Sequence, residues 1–202
     1  MKPTTERPRR LRKNAAIRGM VEETRLSAAN FVWPVFIVEG KGVKDAIKEL
    51  PGCARMSVDV LEKEIAGMEE LRAVALFPAI EDSLKDAKAQ EALNPKGLVP
   101  RAVRTLKKKF PELLVITDVA LDPYSSDGHD GLVKDGVILN DESIVVLAQQ
   151  ALVQAEAGAD FVAPSDMMDG RVGWIRKALD EEGLHDTGII SYCAKYASGF
   201  YG

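Results

Sequence analysis

The stretch LLVITDVALDPYSSDGHDG (residues 113–131) holds the pattern that decides the fold. Its first part is apolar at successive positions until Asp118, as expected for a strand that is buried on both faces. Its second part is a loop rich in Asp and Gly, which is typical of a turn-rich connection. A buried strand with polar residues at its carboxyl end predicts a parallel sheet whose functional groups gather at one edge.

The same pattern recurs along the chain. Strands are predicted to begin near residues 35, 73, 113, 160 and 188, and segments with helical apolar spacing separate them. One helix follows Ser57 as its N-cap and continues to Leu71, and another follows Asn140 as its N-cap and closes at Gly158. This alternation predicts an α/β fold whose parallel sheet is covered on both sides, either a doubly wound sheet or a (β/α)8 barrel.

The position of the polar residues favours the barrel. No GxGxxG motif follows the first strand and the sequence has no P-loop, which weakens the case for a nucleotide-binding sheet. Polar residues instead follow several strands, at Asp118, at Ser165 with Asp166 and Asp169, and at Lys195. In (β/α)8 (TIM) barrel enzymes, the active-site residues gather at the carboxyl ends of the strands. We predict an N-terminal arm over residues 1–30 and a barrel domain over residues 31–202.

The barrel prediction has one difficulty. A closed barrel needs about 250 residues and eight strands, whereas five strands are predicted in these 202 residues. We therefore expect a partial barrel, about three fifths of a longer chain, with the fifth strand at an open edge. Such a chain alone is expected to aggregate and to be inactive, because a bare strand edge invites pairing. If translation truly ends at Gly202, the alternative is an inactive fragment or an assembly partner.

Bulk composition excludes several classes of protein. The chain is 46% hydrophobic and 29% charged with a formal charge of −4, which is ordinary for a globular protein and gives no reason to expect a membrane partner. Two cysteines without a CxxC motif predict a reducing compartment, which is the cytoplasm, or an organelle if a transit peptide was removed. The basic N-terminus could suggest nucleic acid, but apolar and acidic residues interrupt it, and we predict no nucleic-acid partner.

Lys195 is the candidate nucleophile. It lies in SYCAKYA (191–197), where an extended chain would place Ser191, Cys193 and Lys195 on one face. Desolvation at the mouth of a barrel would favour the neutral amine, which is the form that attacks a carbonyl carbon. The pattern alone is equally compatible with a surface lysine at a strand end.

Two loops supply candidate acid–base groups, each with an ordinary structural alternative. The loop after the third strand contributes Asp118, Asp122 and Asp130, although any turn-rich linker contains Asp and Gly. The segment SDMMDGR (165–171) joins a strand to a helix. Its acidic residues are equally compatible with an ordinary helix N-terminus, where negative charge is favourable. Its two methionines are typical of core filling.

Five segments together resemble the porphobilinogen synthase (5-aminolevulinate dehydratase) family, over nearly the whole chain. They are RPRRLRKNAAIRGMVEET (7–24), TDVALDPYSSDGHDG (117–131), GVILNDES (136–143), AEAGADFVAPSDMMDGRV (155–172) and ISYCAKYASGFYG (190–202). The stretch 79–96 is similar only loosely, because the family has a glycine-bearing loop there and this chain reads SLKDAKAQEALNPK over residues 83–96.

The resemblance implies a (β/α)8 barrel hydro-lyase of porphyrin and heme biosynthesis that condenses two 5-aminolevulinate molecules to porphobilinogen. It implies that Lys195 is one of two Schiff-base lysines, the one that engages the second-bound substrate. It assigns Asp118 and Ser165 to catalysis beside Lys195. It also implies a homo-oligomer, with an octamer as the expected assembly. The residues expected to bind substrate are Phe200, Tyr201, Asp122 and Asp130.

The chain departs from the family pattern in two respects. Zinc-dependent members carry three cysteines where this chain has Ala120, Asp122 and Asp130, so we expect no catalytic zinc and a site suited to hard cations, if to any. The resemblance allows an allosteric Mg²⁺, but we assign no metal ligand within these residues. The second Schiff-base lysine and the carboxylate-binding arginine would both lie beyond Gly202.

Overall fold

A computed structural model describes residues 6–196 and shows one seven-stranded sheet. Its strands are β1 Val32–Val38, β2 Lys44–Ala46, β3 Ala54–Ser57, β4 Ala73–Pro78, β5 Leu114–Val119, β8 Phe161–Pro164 and β9 Gly188–Ile189. Their order is β2-β3-β1-β4-β5-β8-β9, and only the β2–β3 pair is antiparallel. The five predicted strands are β1, β4, β5, β8 and β9, and they are parallel as expected. The last of them lies at the edge of the described sheet.

A two-stranded hairpin, β6 Val133–Lys134 and β7 Val137–Ile138, lies in the loop after β5. Its turn residues Asp135 and Gly136 have φ angles of 52° and 77°. Positive φ at both turn positions is the conformation that Asp-Gly favours in two-residue hairpins. This hairpin is not predicted from the sequence, because each of its strands has only two residues.

Five helices lie in the described part of the chain, and all but the first pack against the sheet. They are α1 Ala15–Met20, α2 Val58–Ala66, α3 Leu98–Lys109, α4 Asn140–Glu156 and α5 Arg171–Glu181, with 3₁₀ turns at Pro8–Arg12, Ala28–Asn30, Asp82–Leu84 and Gln90–Leu93. The predicted continuation of α2 to Leu71 is wrong, because the helix ends before Met68, which is 39% exposed. The predicted N-cap role of Asn140 is also wrong: Leu139 is the N-cap, and the Asn140 side chain bonds the Asp169 backbone.

Two apolar clusters hold the layers together. One lies between β1, β4, α2 and α3 and includes Val35, Leu76 and Leu106; the other lies between β5, β8, α4 and α5 and includes Leu147 and Ile175. All five side chains are at most 1% exposed. Each fully buried aliphatic side chain contributes about 1.5–3 kcal/mol to folding, so burial between the sheet and its helices holds the two layers together.

The strand register brings three carboxyl ends together. Val119 at the end of β5 aligns with Pro164 at the end of β8, and the Ser165 amide donates to the Val119 carbonyl at 3.2 Å. The Tyr192 amide, beyond β9, donates to the Pro164 carbonyl at 3.1 Å. Residues that follow β5, β8 and β9 therefore meet at one edge of the sheet.

The segment before β1 lies apart from this core. Asn14 caps α1 by accepting the Ile17 amide at 3.0 Å, and none of the α1 residues is buried. The division into an arm over residues 1–30 and a barrel from residue 31 stays a prediction. In the described part of the chain, no helix combines the length and the apolar character that crossing a membrane requires.

Candidate active site

Lys195 lies beside Asp130 at the carboxyl edge of the sheet. Its Nζ donates to Asp130 Oδ2 at 2.7 Å, with 26% of the lysine side chain and 12% of the aspartate side chain exposed. Strand β9 ends at Ile189, but the Ile190 and Tyr192 amides still donate to the Val162 and Pro164 carbonyls at 3.0 and 3.1 Å, so the pairing with β8 reaches Tyr192 and stops short of Lys195. The contact with Asp130 nevertheless places the amine inside the site.

The charge of Lys195 differs from the prediction. Burial disfavours the ammonium form and lowers the pKa of Lys195, but the hydrogen bond and charge of Asp130, aided by Asp122 and Asp118, outweigh burial and raise that pKa above its ordinary value. The prediction that desolvation leaves the amine neutral is therefore wrong for this state of the site. Lys195 rests as an ammonium ion and must transfer a proton before it can attack a carbonyl carbon.

Asp118 occupies the end of β5, where its carboxyl group is removed from water. The pKa of Asp118 is raised to about 7, and burial is the largest cause. A hydrogen bond from the Ser165 hydroxyl lowers this pKa, and the charge of Asp122 raises it. Its Oδ1 is buried and has no hydrogen-bond partner among the described residues. A carboxyl group that titrates near neutral pH can both accept and donate protons during a reaction.

Asp122 and Asp130 form a second acidic pair. Burial, followed by the charge of Asp130 and its hydrogen bond, raises the pKa of Asp122, while the Lys195 charge lowers it. Asp130 and Lys195 thus act in opposite directions on the pKa of Asp122.

The loop between β8 and α5 is tied to the Lys195 segment by Arg171. The Asp166 side chain is fully buried, and its Oδ2 lies 3.2 Å from Arg171 Nε, close enough for ion pairing but not aligned as a hydrogen bond. Arg171 also donates to the Met168 carbonyl at 3.2 Å and to the Tyr192 carbonyl at 3.0 Å. The sequence placed Asp166 among the polar residues that follow the strands, or at an acidic helix start, but gave no role to Arg171, because the partners of Arg171 are defined by the fold.

A cavity of about 340 Å³ opens beside Lys195, within the range of small-molecule pockets. Its walls are formed by Asp122, Gly128, His129, Asp130, Ile138, Met167, Met168, Lys195 and Tyr196. The two methionines have different environments: Met168 is buried, as predicted for core filling, whereas Met167 is 61% exposed at the cavity rim. The cavity thus combines acidic groups, one amine and an apolar rim.

The structure brings together most of the predicted site residues. Ser165 lines a neighbouring cavity with Lys195 and bonds the Asp118 carboxyl group. Asp169, also predicted to face the site, is exposed and held instead by Asn140 on α4. Phe200 and Tyr201 lie outside the described residues.

A zinc ion does not fit the positions where related enzymes carry cysteines. Ala120 is 1% exposed and supplies no ligand atom, Asp122 supplies oxygen only, and Asp130 is engaged by Lys195. Within residues 6–196, no three side chains of His, Cys, Asp or Glu are grouped so that they could hold a metal ion.

Comparison with known proteins gives consistent matches. The sequence profile of the family "Delta-aminolevulinic acid dehydratase" matches residues 5–202. A chloroplastic delta-aminolevulinic acid dehydratase of Selaginella martensii is 57% identical over 98% of this chain and 48% of its own length. The enzyme of that name from Bradyrhizobium diazoefficiens is 54% identical over 97% of this chain and 56% of its own length. The chain spans about half the length of these relatives.

A solved structure also matches this chain. Delta-aminolevulinic acid dehydratase (porphobilinogen synthase) from Toxoplasma gondii ME49, in complex with the reaction product porphobilinogen, superposes with a TM-score of 0.93. It is 47% identical, and the match covers 99% of this chain and 58% of that one. The match confirms the partial-barrel interpretation of the fold.

Proposed function

Because the chain belongs to the delta-aminolevulinic acid dehydratase family, we propose that the protein containing it is a hydro-lyase that condenses two 5-aminolevulinate molecules to porphobilinogen. The observation that carries the proposal is the position of Lys195. Its amine lies 2.7 Å from Asp130, opens on a cavity and shares the carboxyl edge of the sheet with Asp118. A keto substrate bound there would face both a nucleophile and acid–base groups.

The first covalent step is imine formation at Lys195. The ammonium gives a proton to Asp130, and the free amine attacks the keto carbon of 5-aminolevulinate to form a carbinolamine. That intermediate loses its hydroxyl group as water when a neighbouring acid supplies a proton, which leaves the C=N bond. Asp118, with a pKa raised to about 7, is suited to supply that proton.

The remaining site residues have proposed binding roles. Asp122 and Asp130 present negative charge to the cavity, which suits the ammonium group of 5-aminolevulinate. Ser165 holds the Asp118 carboxyl group through its hydroxyl. Phe200 and Tyr201 keep their predicted substrate contacts on the strength of the family resemblance alone.

Metal use, assembly and compartment are also proposals. The absence of a sulfur ligand at Ala120, Asp122 and Asp130 supports an enzyme that works without catalytic zinc, so activity is expected to survive a zinc-selective chelator. An allosteric Mg²⁺ and a homo-octamer follow from the family resemblance. Relatives bear the name chloroplastic, which makes a plastid the alternative to the predicted cytoplasm.

The test is product formation by the complete gene product that contains these residues. Purified protein is incubated with 5-aminolevulinate and porphobilinogen is quantified by mass spectrometry. Lys195→Met is expected to abolish product formation, while Lys177→Met, which changes an exposed lysine of α5, leaves it intact. Equal activity of the two variants, or an inactive parent protein, would contradict the proposal.

A further inference from the structure

Helix α4 carries two glutamines on the face that packs against β5. Gln150 and Gln154 are 0% and 1% exposed, and they stand four residues apart, one turn above the other. Leu147 and Ala151 on the same helix belong to the apolar core. A buried amide costs free energy unless it is hydrogen-bonded, so two of them in an apolar face require a partner on the sheet.

That partner is the end of β5. Gln154 Nε2 donates to the Asp118 carbonyl at 2.9 Å, and Gln154 Oε1 accepts the Thr117 hydroxyl at 2.8 Å. Gln150 Nε2 donates to the Ala120 carbonyl at 3.2 Å. The two amides therefore hold alternate backbone carbonyls on one side of the strand end.

These carbonyls lack a donor from the sheet. Strand β4 pairs with β5 from Leu114 to Thr117, and β4 ends at Pro78. Continuing the parallel register would bring the Pro78 nitrogen toward the Asp118 carbonyl, and proline has no N–H to donate. Gln154 supplies the hydrogen bond that the ladder cannot.

We infer that Gln154, assisted by Gln150, is a positioning residue that fixes the end of β5 and thereby aims the Asp118 carboxyl group into the site. Gln154 holds both the carbonyl of Asp118 and the side chain of the preceding residue. The carboxyl group itself is left to face the reacting groups. The inference relies on the proposed function only for the identity of the reaction.

The surroundings of Asp118 show what this positioning maintains. The groups that interact electrostatically with its carboxyl are Asp122, Asp130, Lys195, Ser165, Tyr124 and Tyr192. Tyr124 is 4% exposed, and burial raises its pKa, while an interaction with Gln150 lowers it. If the end of β5 shifts, water reaches Asp118 and the largest cause of its raised pKa is lost.

The test measures the protonation of Asp118 directly. The complete protein is labelled with ¹³C-aspartate, the Asp118 band is assigned by difference from Asp118→Asn, and infrared spectra are recorded as a function of pH. Gln154→Met keeps the side-chain volume but removes the amide. Gln149→Met makes the same change at an exposed position of α4 and serves as the matched control.

Gln154→Met is expected to lower the midpoint of Asp118 protonation by about one unit, a tenfold change in the equilibrium, and Gln149→Met to leave it unchanged. A folded Gln154→Met protein with an unaltered midpoint, even one with a lower melting temperature, would overturn the inference.

If Gln154→Met does not fold, the same spectra are recorded for Gln150→Met, and the midpoint of Asp118 protonation is again expected to fall. Unfolding of both would mean that the amides hold the fold itself, which also overturns the inference. The spectra need no turnover, so an inactive enzyme would count only against the proposed function.

Discussion

At the level of single residues, the charge around Lys195 sets the pH at which its amine can react. Asp130 raises the pKa of Lys195 through a hydrogen bond and through its charge. Sequence reasoning identified both residues but predicted a neutral amine, because the sum of three carboxylates and partial burial is a property of the folded site. Asp118, Asp122 and Asp130 are 77, 73 and 65 positions from Lys195 in the chain, so no local pattern reports their distances to it.

Asp130→Asn is expected to lower the pKa of Lys195 by about one unit, since the closest negative charge is removed. A larger fraction of neutral amine is then present at any given pH, so the pH dependence of imine formation shifts to lower pH. The measurement is the initial rate of borohydride-trapped adduct between pH 6 and 10. Asp127→Asn, in the same loop but exposed, is the control and is expected to match the parent. If the rate of adduct formation by Asp130→Asn has the same pH dependence as that of the parent, Asp130 does not set the pKa of Lys195.

Asp118 makes a pH-dependent contribution to stability with the opposite sign from that of a salt-bridged aspartate. Its folded pKa is raised to about 7, above the ordinary value of about 3.9, so the folded state binds the proton more tightly than the unfolded state. Stability from this group is present below about pH 4 and is lost as pH rises through about 7, by up to about 4 kcal/mol. Asp118→Asn removes that loss.

Denaturant unfolding of the parent and of Asp118→Asn at pH 5 and pH 8 tests this prediction. The parent is expected to lose more free energy of unfolding between the two pH values than the variant. Other titrating carboxyl groups are common to both proteins and cancel in the difference. Equal losses would mean that Asp118 titrates normally in the folded protein.

At the level of elements, the sequence predicted the parallel strands that form apolar runs and missed the short strands β2, β3, β6 and β7. Strand β4, with the sequence AVALFP, is nearly continuous apolar sequence, which is what a covered parallel strand looks like. Strand β2, with the sequence KDA, is exposed throughout, and the adjacent β3 has four residues. Their pairing comes from the edge of β1, so no periodicity in their own sequence could reveal it.

The β6–β7 hairpin provides a prediction at this level, because Ile138 on β7 lines the cavity. Gly136 has φ of 77°, a conformation that costs a residue with a side chain about 1–2 kcal/mol. Gly136→Ala is therefore expected to accelerate hydrogen exchange across residues 132–139. Gly173→Ala, in the exposed part of α5, is the matched control and is expected to stabilise its helix by about 1 kcal/mol. Unchanged exchange in the hairpin of Gly136→Ala would contradict the turn conformation.

At the level of the whole molecule, the strand order concentrates the chemistry at one edge of the sheet. Strands β5, β8 and β9 are sequential neighbours in the order, and each delivers its next residues to the same carboxyl end. The polar positions after strands were visible in the sequence, and they predicted this convergence. What the sequence could not show is the support behind them, such as the amides of α4 and the Arg171 contacts, because these depend on the packing of helices against strand ends.

Imine formation between Lys195 and 5-aminolevulinate can be trapped chemically and assigned to a residue. The complete protein is incubated with 5-aminolevulinate, reduced with borohydride, digested and mapped by mass spectrometry. We expect a reduced adduct on Lys195 that is lost in Lys195→Met; a second labelled lysine elsewhere in a longer chain is compatible with this result. An adduct on Lys134 or Lys177 with Lys195 unmodified would contradict it.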